Sequence, residues 1–195
     1  MNSDTENSSG YKLQGAFGDR GTNVNSFGYG HPHADKIIDQ AKEIIAESET
    51  GRLLLVMLNK NLVPIQVIKG KGESGFSPEM GTIIMQIPGN VDKAHPEYVI
   101  HLIKALHEAA QERAGFKAPD PKKDIMAYAS FIHGRNLDSI TEVCKIVKEL
   151  TNSSYFSVLL DSLRKLGLNK VYEAYLEGKS RDELYTEYAE AYETL

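Results

Sequence analysis

The chain has 195 residues, enough for one domain with a real core, or for one domain with a helical extension. A formal net charge of −5, with no basic cluster denser than Lys122-Lys123, argues against a nucleic-acid binder. The single cysteine, Cys144, excludes an internal disulfide, and no apolar run approaches the roughly 20 residues needed to span a bilayer.

Residues 1–33 are rich in Asn, Ser and Gly and lack sustained periodicity, which reads as a flexible N-terminal arm. Its aromatics Tyr11, Phe17, Phe27 and Tyr29 could pack locally on the domain. The opening MNSDTENSSGYKLQ has neither the basic start nor the apolar stretch of a signal peptide. With a reducing compartment as the natural setting for one cysteine, the expected localisation is cytoplasmic, without membrane attachment.

From Ala34 to Ser48, Ile37, Ile38, Ala41, Ile44 and Ile45 recur at three- and four-residue steps, predicting a helix that Gly51 ends. The run Arg52 to Asn59, containing LLLVML, predicts a strand buried on both faces. Val63 to Ile68 reads as its partner strand. The Gly-rich GKGESGFSPEMG is a connector, and Thr82 to Ile87 is a third strand stopped by Pro88-Gly89.

Beyond this the pattern turns helical. Pro96 stands where a first helical turn begins, and the helix runs to Gly115. Asp120-Pro121 opens another, interrupted at Gly134 and resumed through Leu150, with Cys144 as a small buried filler. Shorter helices follow near 154–166, 169–177 and 181–194, with Gly167 and Gly178 as stops. Leu159, Leu160, Leu163, Leu166, Tyr185, Tyr188 and Tyr192 mostly close the core and leave some surface for a partner. The fold class is α+β: a short three-stranded sheet backed by helices, with a helical C-terminal part. The organisation is an arm over 1–33, a core over 34–150 and a helical extension over 151–195 packed on that core.

His107-Glu108-Ala109-Ala110-Gln111 falls in the middle of the helix from Pro96. In the zinc-hydrolase pattern H-E-x-x-H, histidines four apart share one helical face and reach one metal, while the glutamate polarises the metal-bound water. Here Gln111 stands at the second ligand position, and an amide is a poorer zinc ligand than imidazole.

The GRLLLVML and GFSPEMGTIIMQIP segments, the LHEAAQ helix and the following RNLDSITEVCKIVKEL together resemble a family of compact bacterial metallopeptidases of the zincin type. In that family a helix of the form H-E-L-R-H-A-x-Q follows a strand-rich segment, and a later helix bearing E-A-D-A gives the third ligand. The resemblance implies a zincin-like core over about Ala34 to Leu150, whose edge strand takes an extended peptide above the motif helix. It gives His107 the first ligand position, Glu108 the general base, and Gln111 the second ligand. Asn136 takes the third, with the family's aspartate kept as Asp138. A second register stays open, in which the glutamine of A-x-Q is Gln111 and His107 leaves the ligand position.

On this resemblance the chain is a degenerate metallopeptidase, catalytically inactive, with a binding or regulatory role and a protein or peptide partner. No cofactor is expected, or zinc if the site is live. The alternatives are an active peptidase using His107, Glu108 and one of Asp138 or His133, and an unrelated helical interaction module. His31-Pro32-His33 reads as an ordinary loop, His101 as a boundary residue on a different face from His107, and GKGESG as lacking phosphate-loop spacing.

Overall fold

A computed structural model describes residues 30–61, 63–72 and 74–193. The arm expected over 1–33, with Tyr11, Phe17, Phe27 and Tyr29, therefore lies outside the described residues except for its last four. Of these, Gly30 forms an antiparallel bridge with Ile68, and the buried His31 ring nitrogen Nε2 meets the Pro88 carbonyl at 2.9 Å. The Tyr192 side chain also lies outside the described set.

The protein is α+β, with seven helices and a small open sheet among the described residues. Helix α1 (Ala34–Ala46) buries Ile37, Ile38, Ala41, Ile44 and Ile45, the stripe its spacing predicts. Arg52 to Asn59 is not a strand but the body of a second helix, α2 (Glu49–Lys60). Ser48 caps it, its hydroxyl accepting the Gly51 N–H at 2.8 Å. Leu54 and Leu58, four apart, are buried, whereas Leu53 is 63% exposed and Val56 and Met57 are also exposed. The run LLLVML is dominated by leucine and methionine, which are good helix formers, with a single β-branched residue, so the cap and the propensity outweigh the apolar continuity. Gly51 does not end a helix either. It lies in the first turn of α2, where a Cβ would fall 2.1 Å from the Ile45 carbonyl oxygen of α1.

The sheet has three strands, though not the three expected. β1 (Ile65–Lys69) runs parallel to β3 (Thr82–Ile87), with Ile65 opposite Ile83 and Lys69 opposite Ile87. The third member is β2 (Gly75–Ser77), inside the Gly-rich segment expected to be only a connector, antiparallel to β3 with Phe76 opposite Ile83. The order is β1-β3-β2, so β2 is an edge. Ile65, Val67, Ile83, Met85 and Ile87 fill the buried face.

Helix α3 (Pro96–Arg113) is the centre of the domain. It packs on β2 and β3 and is flanked by α1, α2 and two later helices, α4 (Ile125–Glu149) and α5 (Phe156–Lys165). Two further corrections concern α4. It starts with Asp124 as cap instead of at Asp120-Pro121, and it passes through Gly134 without a break. Gly134 makes room instead: a Cβ there would come within 3.3 Å of the Arg181 guanidinium. After a short 3-10 turn at Leu150–Asn152, α5, α6 (Asn169–Leu176) and α7 (Arg181–Glu193) follow close to their expected positions. Gly167 and Gly178 adopt positive φ at the ends of α5 and α6, as helix stops do.

Leu159, Leu163, Tyr172 and Tyr188 join the common core, while Leu160 and Leu166 are half-buried and Tyr185 is exposed. Thr50, at the start of α2, is held by Glu149 at the end of α4 through its backbone N–H and its hydroxyl. Cys144 is 0% exposed inside α4, and burial pushes its thiol pKa up to about 12. Among the described residues no helix is long and apolar enough to cross a membrane.

Candidate functional site

His95 caps α3, its ring Nδ1 accepting the Glu97 N–H at 3.3 Å, and Pro96 supplies the first helical position. Val99, Ile100, Leu102, Ile103, Ala105, Leu106 and Ala109 are buried, and this fixes the rotation of the helix. The remaining arc carries Lys104, His107, Glu108 and Gln111 along one stripe, because residues three and four apart share a face.

Glu108 lies against the sheet edge and is only 9% exposed. Its Oε2 accepts the Phe76 N–H of β2 at 3.1 Å, and its Oε1 is paired with the Lys104 ammonium one turn earlier. The direction of the Phe76 amide follows from the sheet. Ile83, the residue opposite, donates its N–H to Pro64 on the β1 side at 2.9 Å, so Phe76 and Ile83 form the pair whose polar groups point apart. Phe76 thus offers its N–H outward, and Glu108 caps it.

The other half of the stripe faces α4. His107 Nδ1 lies 3.1 Å from the Ser139 hydroxyl, which itself donates to the Arg135 carbonyl at 3.1 Å. With the hydroxyl proton committed there, His107 Nδ1–H is the donor to Ser139 and the lone pair sits on Nε2. Burial lowers the His107 pKa and Arg135 adds to the effect, against the opposing carboxylates of Glu142, Asp138 and Glu108. Gln111 Oε1 accepts from Arg135 Nε at 3.1 Å. The same guanidinium reaches Glu112 Oε2 at 3.2 Å and the Glu108 carbonyl at 3.0 Å, and it lies over the Phe131 ring.

His107, Glu108 and Gln111 are thus brought together along α3 and meet α4 through Ser139 and Arg135. Asp138 is committed elsewhere, to Arg181 of α7 at 3.0 Å. Asn136 is half-buried beside Arg135, and His133 is exposed. His101 pairs with Glu97 at 3.7 Å, away from His107. The His31-Pro32-His33 segment is a local brace, with His31 Nδ1 accepting the His33 N–H at 3.2 Å.

Sequence reasoning missed Lys104, Arg135, Phe76 and Ser139. Only Lys104 left a local signal, its four-residue spacing from Glu108. In the register that sets Gln111 against the family's glutamine, the two histidine positions fall on Lys104 and Glu108 and the glutamate falls on the buried Ala105.

The zinc ion that the resemblance implies does not fit this donor set. Glu108 already holds an ammonium, and the Gln111 oxygen faces a guanidinium, so a divalent cation would enter beside two positive charges. Among the described residues no group of three or more His, Cys, Asp or Glu converges as a metal site. Comparison with family models, with curated proteins and with solved structures gave no match for this chain.

Proposed function

We propose that the chain is a zincin-like protein that does not hydrolyse peptides and acts by binding a protein or peptide partner. The observation that carries this reading is the bond from Phe76 N–H to Glu108 Oε2. It sets the polar stripe of α3 directly against the edge strand β2, as a zincin-type core does with its motif helix. It also engages the carboxylate that would have to work on water. A general base needs a lone pair aimed at its proton, and each oxygen of Glu108 already accepts one bond from the protein.

A second observation supports the binding role. Leu53, Val56 and Met57 form an exposed apolar ridge on α2, beside a shallow hollow lined by Met57, Val63, Leu106 and Ala110. A cytoplasmic location belongs to the same reading, since a lone buried cysteine asks nothing of an oxidising compartment.

The test is metal content of the purified protein, with zinc titration of wild type and His107→Ala in parallel. The expected result is no stoichiometric zinc in either. Stoichiometric zinc that disappears with His107 would overturn the reading and restore an active metal-dependent peptidase.

A further inference from the structure

Between α3, the sheet edge and α4 lies a group of partly buried charges, of which the catalytic reading uses Glu108 alone. Lys104 and Glu108 side chains are 23% and 12% exposed, and those of Arg135 and Glu112 are 12% and 27% exposed. Four acceptors in the group have a cationic donor. Glu108 Oε1 takes Lys104, while Glu112 Oε2, Gln111 Oε1 and the Glu108 carbonyl take three different nitrogens of Arg135. Two cations face two carboxylates, so the group is neutral as it stands. A divalent ion added to it would leave an uncompensated positive charge in partly desolvated surroundings.

We infer that the Lys104 ammonium and the Arg135 guanidinium hold here the place of a metal ion, tying α3 to β2 and to α4. This inference rests on the zincin-like reading above and deepens it. A metal at such a junction would join donors from the helix, the sheet edge and the next helix. Here Arg135 joins α4 to α3 directly, and Lys104, itself on α3, acts on β2 only through Glu108. Lys104 steadies Glu108 against Phe76 of β2, and Arg135 reaches from α4 to the last turns of α3. Arginine suits the second task because its planar fork carries several donors in fixed directions. The junction formed this way needs no metal and cannot be opened by a chelator.

Amide hydrogen exchange at Phe76 and thermal unfolding test the inference. Wild type should keep the same Tm and the same Phe76 exchange rate with zinc and with EDTA. Lys104→Met should speed Phe76 exchange at least about tenfold, because Glu108 loses the cation that holds it in place. Unchanged exchange in that variant would overturn the Lys104 clamp and leave the non-catalytic reading standing.

The pair Lys104→His with Glu108→His should lose stability without metal and regain several degrees of Tm with zinc. The regain should exceed that of a control pair, Asp39→His with Glu43→His, on the exposed face of α1. A gain no larger than the control's would overturn the claim that these residues occupy a metal's place. A chelator-sensitive Tm in wild type would overturn the non-catalytic reading itself.

Discussion

Glu108 in the middle of α3 and Phe76 in the edge strand β2 are joined by a 3.1 Å hydrogen bond across 32 residues of chain. An edge strand with an outward N–H is a template for unwanted pairing, and a carboxylate over that N–H blunts it. Glu108→Ala should cost about 1–3 kcal/mol, because the Phe76 amide and the Lys104 ammonium both lose their partner. Glu108→Gln keeps an acceptor for the amide and should cost less. Urea unfolding of the two variants checks the order, and equal losses would mean that the hydrogen bond to Phe76 contributes nothing.

The helix phase of α2 makes a sharp comparison between neighbouring leucines. Leu54 is 5% exposed and Leu53 is 63% exposed. Leu54→Ala should cost about 2–4 kcal/mol through lost burial and a cavity. Leu53→Ala should stay within about 0.5 kcal/mol. A strand buried on both faces would make the two substitutions equally damaging, so denaturant midpoints of the pair separate the two geometries.

Arg135 of α4 bonds three groups of α3. Arg135→Lys keeps the charge but not the fork, and should cost about 2 kcal/mol, from acceptors left without donors. The loss should appear in urea unfolding at neutral pH and should persist at high salt, since much of it is directional bonding. A loss erased by salt would reduce Arg135 to a simple counter-charge.

Acid should weaken the fold through His107. Its pKa is lowered by burial from the ordinary 6.5, so over the interval between the two values the unfolded chain binds more protons than the folded one. The contribution is fully present above the unfolded value and is lost as pH falls below it toward the folded one. Around the ring stand Glu108 on its own helix and Arg135, Asp138, Ser139 and Glu142 on α4. His107→Asn keeps an N–H for Ser139 and removes the titration. Wild type should therefore lose more stability than this variant between neutral pH and about pH 5.5. Parallel pH profiles would show that His107 is not the acid-sensitive group.

Much of the architecture was legible because the signals are local. The isoleucines of α1, the Pro88-Gly89 stop after β3, Pro96 at the start of α3 and the glycines after α5 and α6 each act on their own stretch of chain. LLLVML misled because continuous apolarity is shared by a buried strand and by a helix with an exposed greasy face. The leucine content and the Ser48 cap, which decide between them, are quieter signals. Strand β2 is only three residues long and exists because β3 is there to pair with it, which no local pattern records. The stripe His107, Glu108 and Gln111 could be read from helical spacing. What faces it could not, since Phe76 and Arg135 come from 32 residues earlier and 27 residues later than Glu108.

Cys144 gives the molecule a clock. With its side chain 0% exposed and its thiol pKa pushed by burial to about 12, it is shielded from alkylating reagents and poorly nucleophilic while α4 stays packed. Each alkylation event therefore marks a moment when the inner face of α4 came into solvent. Since no other thiol competes for the reagent, the labelling rate under native conditions reports how often that face stands open. A partner that grips the folded form would slow the count, so the thiol can time binding by a molecule that never touches it.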